Sequence, residues 1–153
     1  MTPTLDNLRK RLRASRGVLV DSNVLLDVAT SDPDWENWSS SALAEVAESA
    51  TLIINPIIYA EVSIGYSTIE TLDAVLPATL YRREALPWEA GFLAGKNFLM
   101  YRRRGGLRTS PLPDFYIGAH AAIGHLALLT RDAARYRSYF PTVEILAPTN
   151  RRV

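Results

Sequence analysis

The stretch Gly17-Val18-Leu19-Val20-Asp21-Ser22-Asn23-Val24-Leu25-Leu26 determines the fold that we expect of this chain. Its apolar residues predict a buried strand over residues 18–21, and the polar residues that follow predict the start of a helix. In an open parallel α/β sheet, ligands bind at the carboxyl ends of the strands. Asp21 is therefore either a helix cap or the first residue of an active site, and the rest of the chain has to distinguish the two.

The composition is typical of one folded domain. The chain has 153 residues, of which 48% are hydrophobic, and this is enough for a substantial core. The absence of cysteine excludes disulfides, thiolate nucleophiles and thiolate metal sites. No apolar run approaches the ~20 residues of a membrane-spanning helix, and the first residues lack the apolar segment of a signal peptide. We therefore expect a cytoplasmic protein without a membrane partner.

Short apolar segments alternate with helical patterns along the chain. We predict strands at residues 18–21, 51–55, 81–86, 126–130 and 143–146, with 81–86 at an edge. We predict helices at residues 4–15, 35–50, 57–65, 67–76, 88–103, 114–124 and 132–136. This alternation favours an α/β fold with a small, mostly parallel sheet of four to five strands and helices on both faces.

Three acidic residues stand at junctions between these elements, namely Asp21, Asp114 and Asp132, and a fourth, Glu61, lies one helical turn past the second strand on the adjoining helix. If the carboxylates share one pocket, they repel each other unless some are protonated or a cation lies among them. With no cysteine and only two histidines in the chain, the ligands are all oxygen, which suits Mg²⁺ or Mn²⁺. Such an ion can activate a water and stabilise charge on a phosphoryl group, so the pattern favours a nuclease.

Each acid also has a purely structural interpretation. Asp21, Asp114 and Asp132 could each cap a helix. Glu61 is harder to explain in this way, because it lies among apolar residues on a helix and burying a lone glutamate is costly. A shared metal site accounts for all four positions at once.

The residues around each acid form a short motif, and the four motifs follow in the order Val20-Asp21-Ser22-Asn23-Val24-Leu25-Leu26, Tyr59-Ala60-Glu61-Val62, Leu112-Pro113-Asp114-Phe115-Tyr116-Ile117-Gly118-Ala119-His120-Ala121 and Leu128-Leu129-Thr130-Arg131-Asp132. In this order and spacing they resemble the motifs of the PIN domain. More narrowly, residues 17–148 are similar to the VapC-type ribonuclease toxins of bacterial toxin–antitoxin pairs.

The resemblance implies a three-layer α/β/α domain over residues 17–148. Outside the resemblance, the sequence has a basic extension at 1–16 and a tail at 149–153. The resemblance further implies an endoribonuclease that depends on Mg²⁺ or Mn²⁺, forms a homodimer and is neutralised by a small antitoxin. The RNA substrate stays open among transfer, ribosomal and messenger RNA.

The resemblance also assigns roles to individual residues. The metal-binding catalytic positions fall on Asp21, Glu61, Asp114 and Asp132. Polar residues beside them would orient the carboxylates or the metal-bound water, and these are Ser22, Asn23 and Thr130.

Arginine dominates the basic residues, with 15 of the 17 Lys and Arg positions. Setting the four acids aside raises the net charge of the remainder from +1 to +5, which favours a polyanionic partner. Candidate RNA-binding residues flank the loop before Asp114 or lie beside Asp132, namely Arg102, Arg103, Arg104, Arg108 and Arg131. For the first three, a solvated helix end is an equal alternative.

Other polar and aromatic residues are given structural places. We expect Asp27 at the surface or as a cap, His120 and His125 in structural roles, and Trp35, Trp38 and Trp88 in the core or a dimer surface. Three alternative functions stay open: an RNA-processing nuclease without an antitoxin, a non-catalytic binding module, and a receiver-like domain with Asp21 as phosphate acceptor. The last is disfavoured because the only lysines are Lys10 and Lys96.

Overall fold

The computed structural model describes residues 16–149. The predicted basic extension lies outside this range except for Arg16, and of the predicted tail only Thr149 is described. The helix predicted at residues 4–15 also lies outside the described residues.

Strands and helices alternate along the described chain. The strands are β1 (Val18–Val20), β2 (Leu52–Ile54), β3 (Tyr81–Arg83), β4 (Ala127–Leu129) and β5 (Ile145–Leu146). The helices are α1 (Ser22–Ala29), α2 (Glu36–Ser49), α3 (Pro56–Ser63), α4 (Ile69–Val75), α5 (Trp88–Arg103), α6 (Pro113–Gly124) and α7 (Ala134–Tyr139). In the part of the chain described, no helix is long and apolar enough to cross a membrane.

The five strands form one parallel sheet in the order β3-β2-β1-β4-β5. The central strand is β1, where Val18 pairs with Leu52 on one side and with Ala127 on the other. Strands β2 and β3 are added in chain order on one side of β1, and β4 and β5 are then added in chain order on the other side. The direction of winding therefore reverses between β1 and β4, and such a reversal opens a crevice at the carboxyl ends of the strands.

Helices cover both faces of the sheet. On one face α1 packs against α2 and α3, and on the other α6 packs along α5 and contacts α7. Strands β1, β2 and β4 are buried over their whole length, which explains their continuous apolar sequences. The expected α/β class, its three layers and its small parallel sheet with β3 at an edge are confirmed.

Several predicted boundaries are wrong near the end of the chain. The helix predicted at 132–136 begins at Ala134 and ends at Tyr139, because the Asp132 amide donates to Thr130 Oγ1 in a bend that precedes the helix. The last strand covers only Ile145–Leu146, because the Val143 amide donates to the Phe140 carbonyl in a turn.

Close packing between α6 and the end of α7 depends on a glycine. Gly118 is buried, and a β-carbon at this position would overlap the ring of Phe140. We expect Gly118→Ala to lower the free energy of unfolding by about 1–3 kcal/mol, because the ring has to move. Urea unfolding followed by circular dichroism measures this change.

The matched control is Gly95, an exposed glycine in α5 whose β-carbon would meet no atom within 4 Å. Gly95→Ala should be neutral or stabilising by up to about 1 kcal/mol, because alanine favours a helix. An equal loss of stability in both variants would contradict the packing argument.

Candidate active site

Asp21 lies one residue beyond β1 and is the N-cap of α1. Its Oδ1 accepts a hydrogen bond from the Ser22 amide at 2.8 Å. Its Oδ2 accepts from Thr130 Oγ1 and from the Tyr136 hydroxyl, both at 2.9 Å. Burial raises the pKa of Asp21, and its hydrogen bonds to Thr130 and Tyr136 oppose this shift. Asp21 is therefore a helix cap and also the centre of a polar cluster at the crevice.

A serine hydroxyl connects Asp21 to Glu61 on α3. Ser22 Oγ donates to Glu61 Oε1 at 3.0 Å and lies 3.4 Å from Asp21 Oδ1. Burial raises the pKa of Glu61, the bond from Ser22 lowers it, and the charges of Asp21 and Asp114 raise it further. Glu61 thus faces the crevice, and the glutamate on this apolar helix has a polar partner.

A tyrosine hydroxyl connects Asp21 to Asp114 in the same way. Tyr136 OH lies 3.5 Å from Asp114 Oδ1, and Arg135 Nη1 donates to Asp114 Oδ2 at 3.2 Å. The N-cap of α6 is Leu112, so the alternative that Asp114 is a cap is wrong. Burial raises the pKa of Asp114, Arg135 opposes the shift, and the charge of Asp132 adds to it.

Asp132 stands at the exposed rim of the cluster. Its amide donates to Thr130 Oγ1 at 3.1 Å, and its charge acts on Asp114. The residue before α7 is Ala133, and no side chain caps this helix, so Asp132 is not its cap. All four predicted acids thus gather at the same edge of the sheet, three of them joined through hydroxyl groups.

The three predicted orienting residues contact the cluster. Asn23 Nδ2 donates to Thr130 Oγ1 at 3.2 Å, and Asn23 Oδ1 accepts from the Arg131 amide at 3.4 Å. Thr130 Oγ1 in turn donates to Asp21, while Ser22 lies between Asp21 and Glu61 and donates to Glu61. Asn23 therefore connects the residues after β4 to α1. The role of these three residues toward a metal stays a prediction.

The family model of the PIN domain matches residues 18–140, a range that contains all four acids. The chain belongs to the PIN domain family. Comparison with curated proteins gives no match.

Solved structures share this PIN-domain fold. A chain of VapBC2 from Rickettsia felis superposes with a TM-score of 0.66 at 17% identity, over 86% of this chain and 98% of that one. A chain of VapBC-1 from nontypeable Haemophilus influenzae gives 0.64 at 16% identity, over 85% and 96%. A toxin–antitoxin complex from Klebsiella pneumoniae gives 0.59 at 22% identity, over 82% and 94%. At these identities the likeness concerns the fold.

Tyr136 is a residue of this PIN-domain site that the sequence analysis missed. It is 2% exposed on α7, and its hydroxyl contacts two of the acids. Burial and the neighbouring carboxylates raise the pKa of Tyr136 well above its usual value, so the hydroxyl keeps its proton and donates. The signal in the sequence is its place four residues after Asp132, one turn along the last helical segment.

Asp27 is not at the surface, and the expectation of a surface or capping residue is wrong. It is 2% exposed and accepts from Ser39 Oγ at 2.8 Å and from Arg131 Nε at 2.9 and 3.1 Å. The physical reason is its position one helical turn after Asn23, on the face of α1 that packs against α2.

The tryptophans and histidines have different environments. Trp35 and Trp38 are half-buried and meet edge to face, whereas Trp88 is 94% exposed, so a core position for Trp88 is wrong. His120 is buried between Asn55 and Glu84, and this burial lowers its pKa. Its contacts agree with a structural role.

The arginines before Asp114 are all exposed. Arg102 Nη1 donates to the Arg108 carbonyl at 2.8 Å, and Arg104 Nη1 donates to Ser138 Oγ at 3.4 Å. Two of these side chains therefore also hold the loop and α7 in place. Their contact with RNA stays a prediction.

The donor chemistry of the site fits a hard divalent cation, since every candidate ligand is a carboxylate oxygen. Burial raises the pKa of Asp21, Glu61 and Asp114, because a charged carboxylate is unfavourable in a buried position. A cation among them would offset this free-energy cost. Among residues 16–149, no three acidic or histidine side chains are close enough in their present rotamers to hold an ion together. Binding would therefore require the carboxylates to close around the ion.

Tyr136→Phe tests the hydroxyl that joins Asp21 and Asp114. We expect it to lower the free energy of unfolding of the metal-free protein by about 1–3 kcal/mol near neutral pH, because a buried carboxylate loses a donor. The bond lowers the pKa of Asp21, so its loss costs most where Asp21 is charged. The difference from wild type should shrink as the pH falls below the pKa of Asp21.

Tyr139→Phe is the control, because the Tyr139 hydroxyl makes no hydrogen bond within residues 16–149 while its ring packs on Phe115. Urea unfolding at a series of pH values measures both variants. A loss for Tyr136→Phe that is independent of pH would contradict the expected link to Asp21.

Proposed function

We propose that this PIN-domain chain is a metal-dependent endoribonuclease that hydrolyses RNA phosphodiester bonds. One observation carries the proposal: the Asp21 carboxylate, at the reversal point of the sheet, is joined by single hydroxyls to Glu61 and to Asp114. Carboxylates are not crowded at a crevice for stability, because their charges repel and their burial is costly. Binding of a cation, and through it of a substrate phosphate, would explain why these carboxylates lie together.

The proposed ligands of Mg²⁺ or Mn²⁺ are Asp21, Glu61, Asp114 and Asp132. When bound, such an ion offsets negative charge on the phosphate and lowers the pKa of a bound water. Thr130 and Tyr136 hold Asp21 in one orientation through its Oδ2, while Ser22 holds Glu61. Asp132, at the exposed rim, and Asp114 are the two candidates for accepting the proton of the attacking water.

The bond changes of this reaction define its products. The water oxygen bonds to phosphorus as the bond from phosphorus to the 3′ oxygen breaks, and the leaving oxygen takes a proton from solvent. The products therefore carry a 5′-phosphate and a 3′-hydroxyl, and the 2′-hydroxyl of the RNA is not the nucleophile.

Asp21→Asn tests the central carboxylate. We expect cleavage of RNA to fall by roughly 100-fold or more, because charge stabilisation at the phosphate is lost. Calorimetric titration with Mn²⁺ should show binding to wild type and much weaker binding to the variant. End-group analysis of the products should find 5′-phosphates.

Glu45→Gln is the control, since Glu45 is an exposed carboxylate on α2. It should cleave RNA and bind Mn²⁺ as wild type does. A 2′,3′-cyclic phosphate product, or undiminished cleavage by Asp21→Asn, would exclude the mechanism. Binding of RNA by wild type without any cleavage would favour the non-catalytic module instead.

The proposal extends to biological context: the chain is the toxin of a toxin–antitoxin pair, with a small antitoxin as partner and a homodimer as its assembly. Support comes from the VapC-like motifs around the four acids and from the fold shared with a toxin–antitoxin complex from Klebsiella pneumoniae. The RNA substrate belongs to one of the transfer, ribosomal or messenger classes.

The neighbouring gene gives the test of the antitoxin. We expect a short adjacent reading frame whose product binds this chain, and induced expression of the chain alone should arrest growth of a bacterial host. Co-expression of the neighbour should restore growth, and Asp21→Asn alone should leave growth normal. RNA cleavage by a chain that no neighbouring product inhibits would instead indicate an RNA-processing nuclease without an antitoxin.

A further inference from the structure

Arg131 is held by a buried ion pair beside the acidic cluster. Its Nε donates to both carboxylate oxygens of Asp27, at 3.1 and 2.9 Å, and Asp27 also accepts from Ser39 Oγ. Asp27 is therefore satisfied although it is almost fully buried. Breaking such a buried pair leaves an uncompensated charge, so the pair restrains the arginine strongly.

The ion pair uses only the inner edge of the guanidinium group. Arginine has five N–H donors, and four of them belong to the two terminal nitrogens, Nη1 and Nη2. Neither terminal nitrogen makes a hydrogen bond within residues 16–149. The Arg131 side chain is 32% exposed, and its terminal nitrogens are the donors left to bind a ligand.

The same guanidinium group also lies over an aromatic ring. Arg131 Cζ lies 5.4 Å from the centroid of the Trp35 ring, and Trp35 meets Trp38 edge to face at 6.2 Å. A guanidinium whose Nε is anchored and whose face contacts an aromatic ring is restrained before any ligand arrives, which lowers the entropic cost of binding. Its two terminal nitrogens, Nη1 and Nη2, can donate together to two oxygens of a phosphate.

The position of the group relates it to the proposed cleavage site. The Arg131 amide donates to Asn23 Oδ1, while its side chain reaches Asp27, four residues further along α1. Four residues rise about 6 Å along a helix. Asp27 itself lies six residues after the Asp21 cap, about 9 Å along the helix axis. The guanidinium that it holds therefore lies beside the acidic cluster and not within it, and it suits a phosphate next to the one that is cleaved.

We infer that Asp27 is a positioning residue that presents Arg131 to a phosphate flanking the scissile phosphate of single-stranded RNA. The inference rests on the proposed nuclease function and adds to it one substrate contact and its support. Arg131 adjoins Thr130 and Asp132, so the same backbone bend carries two residues of the acidic cluster and this phosphate contact.

Binding of a short fluorescent single-stranded RNA, followed by anisotropy in EDTA, tests the contact. We expect Arg131→Gln to weaken binding about tenfold, as for loss of a charge-assisted hydrogen bond. The slope of log Kd against log salt should fall by about 0.7, the value for one phosphate contact on a single strand. In cleavage assays the KM should rise while kcat is retained, because a flanking contact is made equally in the ground and transition states.

Asp27→Asn separates positioning from simple charge. Removing an acid near the RNA path should strengthen binding if only net charge matters, whereas loss of the anchor should weaken it. We expect weakening to a level between wild type and Arg131→Gln, with the salt slope retained because the arginine is still present. Arg131→Lys should also weaken binding, because one ammonium group cannot hold Asp27 and the phosphate together.

A second arginine–aspartate pair provides the matched control. Arg83 donates to Asp73 at 2.7 Å, and its Cζ lies over Tyr59 at 5.1 Å from the ring centroid, but it belongs to edge strand β3. Asp73→Asn and Arg83→Gln should leave the Kd, the salt slope and the KM unchanged. Thermal unfolding of every variant identifies effects that arise from stability alone.

The outcomes separate the two proposals. If wild type cleaves RNA and Arg131→Gln or Asp27→Asn binds as tightly as wild type, the inference is overturned and the nuclease stands. If RNA binding depends on Arg131 and Asp27 but wild type does not cleave, the nuclease proposal falls and the phosphate contact stands. If wild type neither binds nor cleaves RNA, both are overturned.

Discussion

A single buried carboxylate organises the carboxyl edge of the sheet. Asp21 follows the central strand, caps α1 and accepts hydrogen bonds from α7 and from the residue after β4. A charge in this position is stable only when each of its oxygens has a donor. Its donors are therefore also the contacts that fix α1, β4 and α7 relative to one another, and the site and the fold share the same bonds.

The close approach of the carboxylates lowers the stability of the folded chain as they become charged. Burial raises the pKa of Asp21, Glu61 and Asp114, so these groups hold a proton more tightly in the folded chain than in the unfolded one. The stability they contribute is present at low pH and is lost as the pH rises through the folded-state pKa. At neutral pH a bound cation would offset the charge of these carboxylates and so recover the stability that this charge removes. The proposed cofactor is in this way linked to the stability of the protein.

The sequence predicted the acids better than their partners. Asp21 follows an apolar run and Glu61 lies on an apolar helix, and such local contrasts are visible in one dimension. Tyr136 contacts Asp21 across 115 residues, and the only signal of this contact in the sequence is its position four residues after Asp132. Asp27 was misassigned for the same reason, because its partners Ser39 and Arg131 come from α2 and from the bend after β4. Strands were predictable because their burial is continuous, whereas boundaries set by single hydrogen bonds were not.

The order in which the site is assembled along the chain has a consequence during synthesis. Asp21 emerges from the ribosome early, but Thr130 and Tyr136 follow 109 and 115 residues later. An unfinished chain therefore exposes Asp21 without the donors that orient it and without strand β4, which completes the crevice. The crevice of the proposed nuclease therefore cannot form before the residues from β4 to Tyr136 have been synthesised and folded.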